Sequence, residues 1–319
     1  MTLQNIVFPV LVAFVLSALL GKLFIPLLKK IKVGQTVRED GPVSHLKKSG
    51  TPTMGGILIL LSIILTSAMY VGRYPKILPI LFMTIGFGLI GFLDDFIKVV
   101  LHRSLGLTPI QKLLLQIAVS TGFLWYLQKT QIWQMQLQIP FADGKVLLAG
   151  GLAVPLYYFV VLGTVNGVNL TDGLDGLAGS VTVMVGTFLT VISAFFYPEL
   201  LPVCCAVTGA LLGFLLFNVH PATVFMGDTG SLALGGFVAS CIYMMKLPLF
   251  LPVIGLIYVI EALSVILQVV YFKVSGGNRL LKMAPLHHHF ELCGLEETKI
   301  VAVFTIITAM MCLLALLGL

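Results

Sequence analysis

The run IVAVFTIITAMMCLLALLG, residues 300–318, carries neither a charged side chain nor a proline. An α-helix needs ~20 predominantly apolar residues to cross the hydrocarbon of a bilayer, and this run has that length and character. Comparable runs recur near residues 5–28, 54–71, 77–93, 112–127, 149–165, 176–196, 201–218, 231–245 and 249–272. They are continuously apolar, which selects helices over the alternating strands of a membrane barrel. Charged residues make up only 10% of the chain, whereas soluble domains carry roughly a quarter. The expected architecture is an all-α integral membrane protein of about ten transmembrane helices, one polytopic membrane domain over residues 1–319. Between the fourth and fifth runs, Ile132, Met135, Leu137 and Ile139 alternate in part and Ala142-Asp143-Gly144 supplies a turn. That segment, residues 131–148, is expected to form a small exposed β-hairpin.

The net charge of +6 does not point to nucleic acid; in a membrane protein, basic residues mostly report topology and contact with anionic headgroups. Ten spans put both termini on one side. The loops after odd-numbered spans hold Lys29, Lys30, Lys32, Arg38, Lys47, Lys48, Lys98, Arg103, Lys112, Lys273, Arg279, Lys282 and Lys299. The other loops hold only Arg73, Lys76, Lys129, Lys145 and Lys246. This bias predicts that both termini and the hairpin face the outside, periplasmic or extracellular. The six histidines and most carboxylates fall in the same loops as the basic residues, so the chemistry is expected at the cytoplasmic face. The first run lacks a basic flank before it and continues past Lys22, which reads as a retained helix. The five cysteines show no metal-type spacing.

Three acidic elements sit where apolar runs meet the cytoplasm. Asp94 and Asp95 close the third run; adjacent carboxylates repel unless a cation or protons are shared. The stretch Asn166-Gly-Val-Asn169-Leu-Thr-Asp172-Gly-Leu-Asp175 places a polar side chain at every third residue, among glycines that allow close backbone approach. In Phe225-Met-Gly-Asp228-Thr-Gly-Ser231, Asp228 reads equally as a helix cap or a ligand. Taken together, five aspartates at three junctions suit Mg²⁺, which takes a few carboxylates and keeps positions open for phosphate oxygens. The stretch Met283-Ala-Pro-Leu-His287-His288-His289-Phe-Glu291 offers imidazoles that donate to phosphate oxygens or move protons. Consecutive histidines diverge too far on a helix to make a three-histidine metal site. The basic loop from Lys29 to Thr53 lacks the order of a Walker loop.

These stretches, with Arg38-Glu-Asp-Gly-Pro42 and Gly50-Thr-Pro-Thr-Met-Gly-Gly56, resemble in order and composition the polyprenyl-phosphate N-acetylhexosamine-1-phosphate transferase superfamily. The three-histidine stretch resembles its phospho-N-acetylmuramoyl-pentapeptide transferase branch. The resemblance implies transfer of phospho-MurNAc-pentapeptide from UDP-MurNAc-pentapeptide to undecaprenyl phosphate, with Mg²⁺, in a bacterial plasma membrane. It also implies contact with membrane lipids and a homodimer. By the same resemblance Asp228 is the Mg²⁺ ligand, and Asp94 or Asp95 activates the acceptor phosphate. His287 and His288 match the functional histidines. Lys48, Lys112, Asn169, Asp172 and Asp175 match the nucleotide-sugar cleft, and Phe225 matches the residue that stacks on uracil. Thr53, Asn166, Asn218, Gln268 and His289 complete the expected substrate contacts.

Two rival readings are weaker. A sister transferase using UDP-GlcNAc would share the acidic motifs but not residues 283–291. A nucleotide-sugar transporter would place polar groups near the bilayer midplane, and only Glu261 is a clear mid-span carboxylate.

Overall fold

The computed structural model describes residues 4–30, 50–100, 106–133, 136–142, 145–147 and 150–319. The helices are α1 (Gln4–Lys30), α2 (Gly56–Val71), α3 (Ile77–Val100), α4 (Pro109–Lys129), α5 (Gly150–Thr171), α6 (Leu177–Phe196), α7 (Leu201–Asn218) and α8 (Gly227–Met244). After them come a short turn of helix α9 (Leu251–Ile254), then α10 (Leu256–Val274), α11 (Leu286–Leu292) and α12 (Glu297–Leu317). Between α4 and α5, β1 (Gln136–Gln138) and β2 (Lys145–Leu147) pair antiparallel with Leu137 opposite Val146. Among the described residues, eight helices are long and apolar enough to cross a membrane, and α2 is a shorter apolar helix.

Helix α8, at 18 residues the longest of those outside both groups, has a place that explains its composition. Every residue from Thr229 to Met244 is buried, so α8 meets protein on all sides and has no need of a lipid-facing stripe. Its small residues let neighbours approach closely, as packed membrane helices require. A methyl group added at Gly91 of α3 would lie 2.0 Å from the Asp228 carbonyl oxygen, and one at Gly56 of α2 would lie 2.1 Å from the Gly230 nitrogen. At the rim, α1 buries Pro9, Ala13, Ser17, Gly21 and Ile25, one stripe at a spacing of four, against α7. Its other face, with Phe8, Leu11, Val15, Leu19 and Leu23, is exposed apolar surface of the kind lipid covers.

Several boundaries differ from the apolar runs for identifiable reasons. Helix α3 continues past Asp94 and Asp95 to Val100, because those charges meet partners inside the protein. Helix α4 starts at Pro109: Thr108 accepts from the Gln111 N–H and Gln111 reaches back to the Thr108 N–H, a capping box with proline at the first position. Gly255 divides the ninth run into α9 and α10. The three histidines lie within α11, inside what was expected to be loop.

The bundle has two chemically different ends. One gathers the C-terminal turns of α3 and α5 and the N-terminal turns of α4, α8 and α12. At the other, Trp133 stacks on Tyr243 with Tyr157 edge-on, and Gln138 and Phe141 hydrogen-bond the carbonyls of Leu319 and Gly318.

Candidate active site

The first end of the bundle is organised by hydrogen bonds to the start of α8. Asp95, only 4% exposed, accepts from the Asp228 N–H at 3.2 Å, the Thr229 N–H at 2.9 Å and the Thr229 hydroxyl at 2.6 Å. It therefore caps α8 from a neighbouring helix, where orphan amides and the helix dipole favour a negative group. Gly227 makes that fit possible. Its φ of +70° suits glycine, and a methyl group there would stand 2.6 Å from Asp95 Oδ2 and 2.8 Å from the Thr53 hydroxyl. The strand-like pairing of residues 52–56 with 225–226 completes the frame. Phe225 donates to the Pro52 carbonyl, Gly55 to that of Phe225 and Gly56 to that of Met226, each at 2.8 Å.

Asp228 projects from this frame. Its Oδ2 takes Lys98 at 3.0 Å and Lys112 at 2.9 Å, and its Oδ1 accepts from Asn169 at 2.8 Å. The Asn169 amide also reaches Ser231 at 2.8 Å. Asp94 pairs with Lys98 one helical turn along α3 and accepts the Leu107 N–H at 2.8 Å. Asp172, half-buried just after α5, is held well above the ordinary carboxylate range. Loss of water around it is the main cause, with the charges of Asp228, Asp95 and Asp175 adding to it.

One oxygen each from Asp94, Asp95 and Asp228 can be chosen so that all lie within 4.8 Å of one another. The three carboxylates of Asp94, Asp95 and Asp228 face the two ammonium groups of Lys98 and Lys112 here, leaving an excess of negative charge. Hard oxygens converging with uncompensated charge form a donor set that fits Mg²⁺ rather than a softer ion.

The remaining expected residues divide. Asp172, Asn169, Lys112 and Thr53 join the acidic centre, and Phe225 lies half-buried on the pairing that holds it. Asn166 spends its amide on Gln116 at 2.9 Å and the Leu162 carbonyl at 2.8 Å. Gln268 clasps the backbone of Leu281 through both ends of its amide. Asn218 donates to the Val224 carbonyl, while its own oxygen has no partner among the described residues. Asp175 accepts from Ala222 N–H at 3.0 Å and faces His220 Nδ1 at 3.1 Å, in a second cluster that includes Glu297. Lys48 lies outside the described residues.

The three histidines have three different settings. His287 is fully buried against Glu261; His288 Nδ1 meets Glu291 Oε2 at 2.8 Å; His289 Nδ1 accepts from the Lys282 N–H at 3.1 Å. Sequence reasoning passed over Lys98, Glu261, His220 and Glu297 as site residues. Only Lys98 left a local signal, its spacing of four from Asp94; the others meet their partners through the tertiary fold.

Residues 77–246 match the family described as Glycosyl transferase family 4, and residues 48–60 match the Phospho-N-acetylmuramoyl-pentapeptide-transferase signature 1. The chain is 49% identical over 313 residues to a phospho-N-acetylmuramoyl-pentapeptide-transferase of Clostridium perfringens, covering 98% of this chain and 96% of that protein. It is 48% identical over 313 residues to the protein of the same name from Acetivibrio thermocellus, covering 97% and 93%. The counterpart from Caldanaerobacter subterraneus subsp. tengcongensis is 49% identical over 307 residues, with 96% of each chain covered.

Proposed function

The chain belongs to the phospho-N-acetylmuramoyl-pentapeptide transferase family, and from that premise we propose that the acidic end of the bundle is where the reaction of the family takes place. The chain transfers phospho-MurNAc-pentapeptide from UDP-MurNAc-pentapeptide to undecaprenyl phosphate, forming lipid I and releasing UMP in peptidoglycan synthesis. It is a multi-pass membrane protein. Its ten apolar runs are read as ten spans, α2 and α8 among them, in one membrane domain. The charge bias supports a cytoplasmic acidic site, with both termini and the β-pair on the other side.

The reaction brings a phosphate and a diphosphate together, so alignment and charge neutralisation carry most of the catalysis. Asp228, with Asp94 beside it, would hold Mg²⁺, which when bound neutralises diphosphate oxygens and the departing UMP. Lys98 and Lys112, anchored on Asp228, are placed to turn toward phosphate oxygens once those negative charges arrive. Asp94 is the better candidate for taking a proton from the acceptor phosphate, because three donors of α8 already fill Asp95. Asn169 keeps Asp228 in register through Oδ1. Phe225 offers a ring for the uracil, Thr53, Asp172 and Asp175 line the donor side of the cleft, and the family resemblance assigns Lys48 to the same substrate. His287 and His288 belong to the same machinery.

The observation that carries this reading is the convergence of Lys98, Lys112 and Asn169 on Asp228, whose carboxylate lies within 4.8 Å of oxygens of Asp94 and Asp95. UMP release by the purified protein with undecaprenyl phosphate tests it. UDP-MurNAc-pentapeptide is expected to be used and UDP-GlcNAc essentially refused, since both carry the same uridine diphosphate and only groups meeting the lactyl-peptide can tell them apart. Arg279 and Lys282 in the loop before α11 are suited to peptide carboxylates, and charged partners left unpaired by a smaller donor reject it strongly. Comparable rates with the two donors would move the chain to the sister transferases.

A further inference from the structure

Glu261 sits within α10 and His287 at the second residue of α11, and neither has any exposed surface. One carboxylate serves two donors of one residue. Glu261 Oε1 accepts the backbone N–H of His287 at 3.2 Å, and Oε2 faces its Nδ1 at 3.0 Å. An ionised carboxylate can only accept, so with Glu261 in that form the proton of this contact would lie on Nδ1. The other ring nitrogen, Nε2, is buried and has no hydrogen-bond partner among the described residues. It is aimed at Gly173, where an added methyl group would lie 2.1 Å away. Gly173 follows Asp172, the carboxylate that feels the charges of Asp228 and Asp95.

A purely stabilising role explains this arrangement poorly. A buried ion pair is often no better than well-packed apolar side chains, and an unsatisfied buried polar atom destabilises the fold. An ionisable group inside a spanning segment is instead typical of function. A carboxylate on one nitrogen of a working imidazole fixes ring orientation and tautomer and leaves the other nitrogen for chemistry.

We propose that Glu261 is a positioning residue for the transfer reaction. It holds His287 so that Nε2 reaches, through the gap left by the missing side chain of Gly173, a polar atom of the donor bound in the acidic cleft. This rests on the transferase reading above.

The test uses the full chain in detergent, with kcat and KM from UMP release and nitrogen resonances of ¹⁵N-labelled histidine. Glu261→Gln is expected to lower kcat by about ten- to a hundredfold, the usual loss when the partner of a working imidazole is removed, and to change KM for UDP-MurNAc-pentapeptide far less. Glu261→Ala combined with His287→Ala should be no slower than His287→Ala alone, because the two act as one unit. Gly173→Ala keeps both partners and should lose turnover comparably, which covers the case in which Glu261 variants fail to fold. The resonance assigned to His287 by its loss in His287→Ala should move when UDP-MurNAc-pentapeptide is added to the wild type, and stay put in Gly173→Ala. Wild-type kcat in Glu261→Gln or Gly173→Ala, additive losses in the double variant, or an unmoved resonance in the wild type would each overturn the proposal. Failure of the wild type to release UMP would count against the transferase reading instead, and the His287 resonance, followed also in Glu261→Gln, would still decide whether Glu261 holds the ring toward the donor.

Discussion

Lys98 Nζ lies 3.0 Å from Asp228 Oδ2, an ion pair joining residues 130 positions apart in the chain. The same ammonium also pairs with Asp94. Lys98 thus sits between two of the three carboxylates whose oxygens converge, where it competes with any divalent cation for them. Lys98→Ala is expected to tighten Mn²⁺ binding to the substrate-free protein by about tenfold, equivalent to ~1.4 kcal/mol, while lowering turnover. Titration of Mn²⁺ followed by its electron spin resonance measures the first effect. Unchanged or weaker binding would show that Lys98 does not compete with the metal.

Asp228→Asn should abolish turnover, by about a thousandfold or more if an electrostatic contact of the transition state is lost, and should weaken Mn²⁺ binding with it. Insertion and folding should persist, since Asp95 and not Asp228 caps α8. Near-normal turnover with an unchanged Mg²⁺ requirement would remove Asp228 from the metal site.

The three imidazoles should prove unequal. His287 is buried on Glu261, whereas His289 accepts from the Lys282 backbone and stands 3.8 Å from Cys293 Sγ, both within its own segment. Alanine at His287 or His288 is expected to cost much more activity than alanine at His289. Equal losses at all three positions in the UMP assay would contradict this.

Two glycine substitutions should have opposite outcomes. Gly91→Ala drives a methyl group to 2.0 Å from the Asp228 carbonyl oxygen, and backbone there cannot yield without parting α3 from α8. It should destabilise the protein by about 1–3 kcal/mol or more and inactivate it. Gly163→Ala, in α5 with nothing within 4 Å, should be neutral or stabilise by up to about 1 kcal/mol. Thermal unfolding in detergent separates the two.

Cys293 is exposed after α11, and the charge bias puts that segment in the cytoplasm. A membrane-impermeant thiol reagent should therefore modify a variant carrying only Cys293 after permeabilisation but not in intact cells. Strong labelling of intact cells would invert the orientation.

The spans were legible because apolar length is a property of contiguous sequence, as residues 300–318 show in α12. The acidic centre was legible because Asp94, Asp95, Asn169, Asp172 and Asp228 each stand in a short motif with chemistry of its own. What stayed hidden depends on the third dimension. The identical side chains of Asp94 and Asp95 separate only when α8 arrives to be capped by one of them. The bonds that Asn166 and Gln268 make to Gln116 and to the Leu281 backbone likewise join elements that only the folded chain brings together. The capping box at Thr108 and Gln111 was readable and sets the start of α4, yet the apolar run that begins a few residues later drew the boundary.

The last helix reaches back to the acidic loop: Glu297 Oε1 accepts the backbone N–H of Asp175 at 2.6 Å, across 122 residues of chain. Ribosomes add about 5–20 residues each second, so the loop is made roughly 6–24 s before its acceptor exists. Until α12 has entered the bilayer, that amide lacks the carboxylate that takes it in the finished fold. Completion of this loop thus waits on the synthesis of Glu297, and a ribosome that stalls before that residue leaves the Asp175 amide without its acceptor.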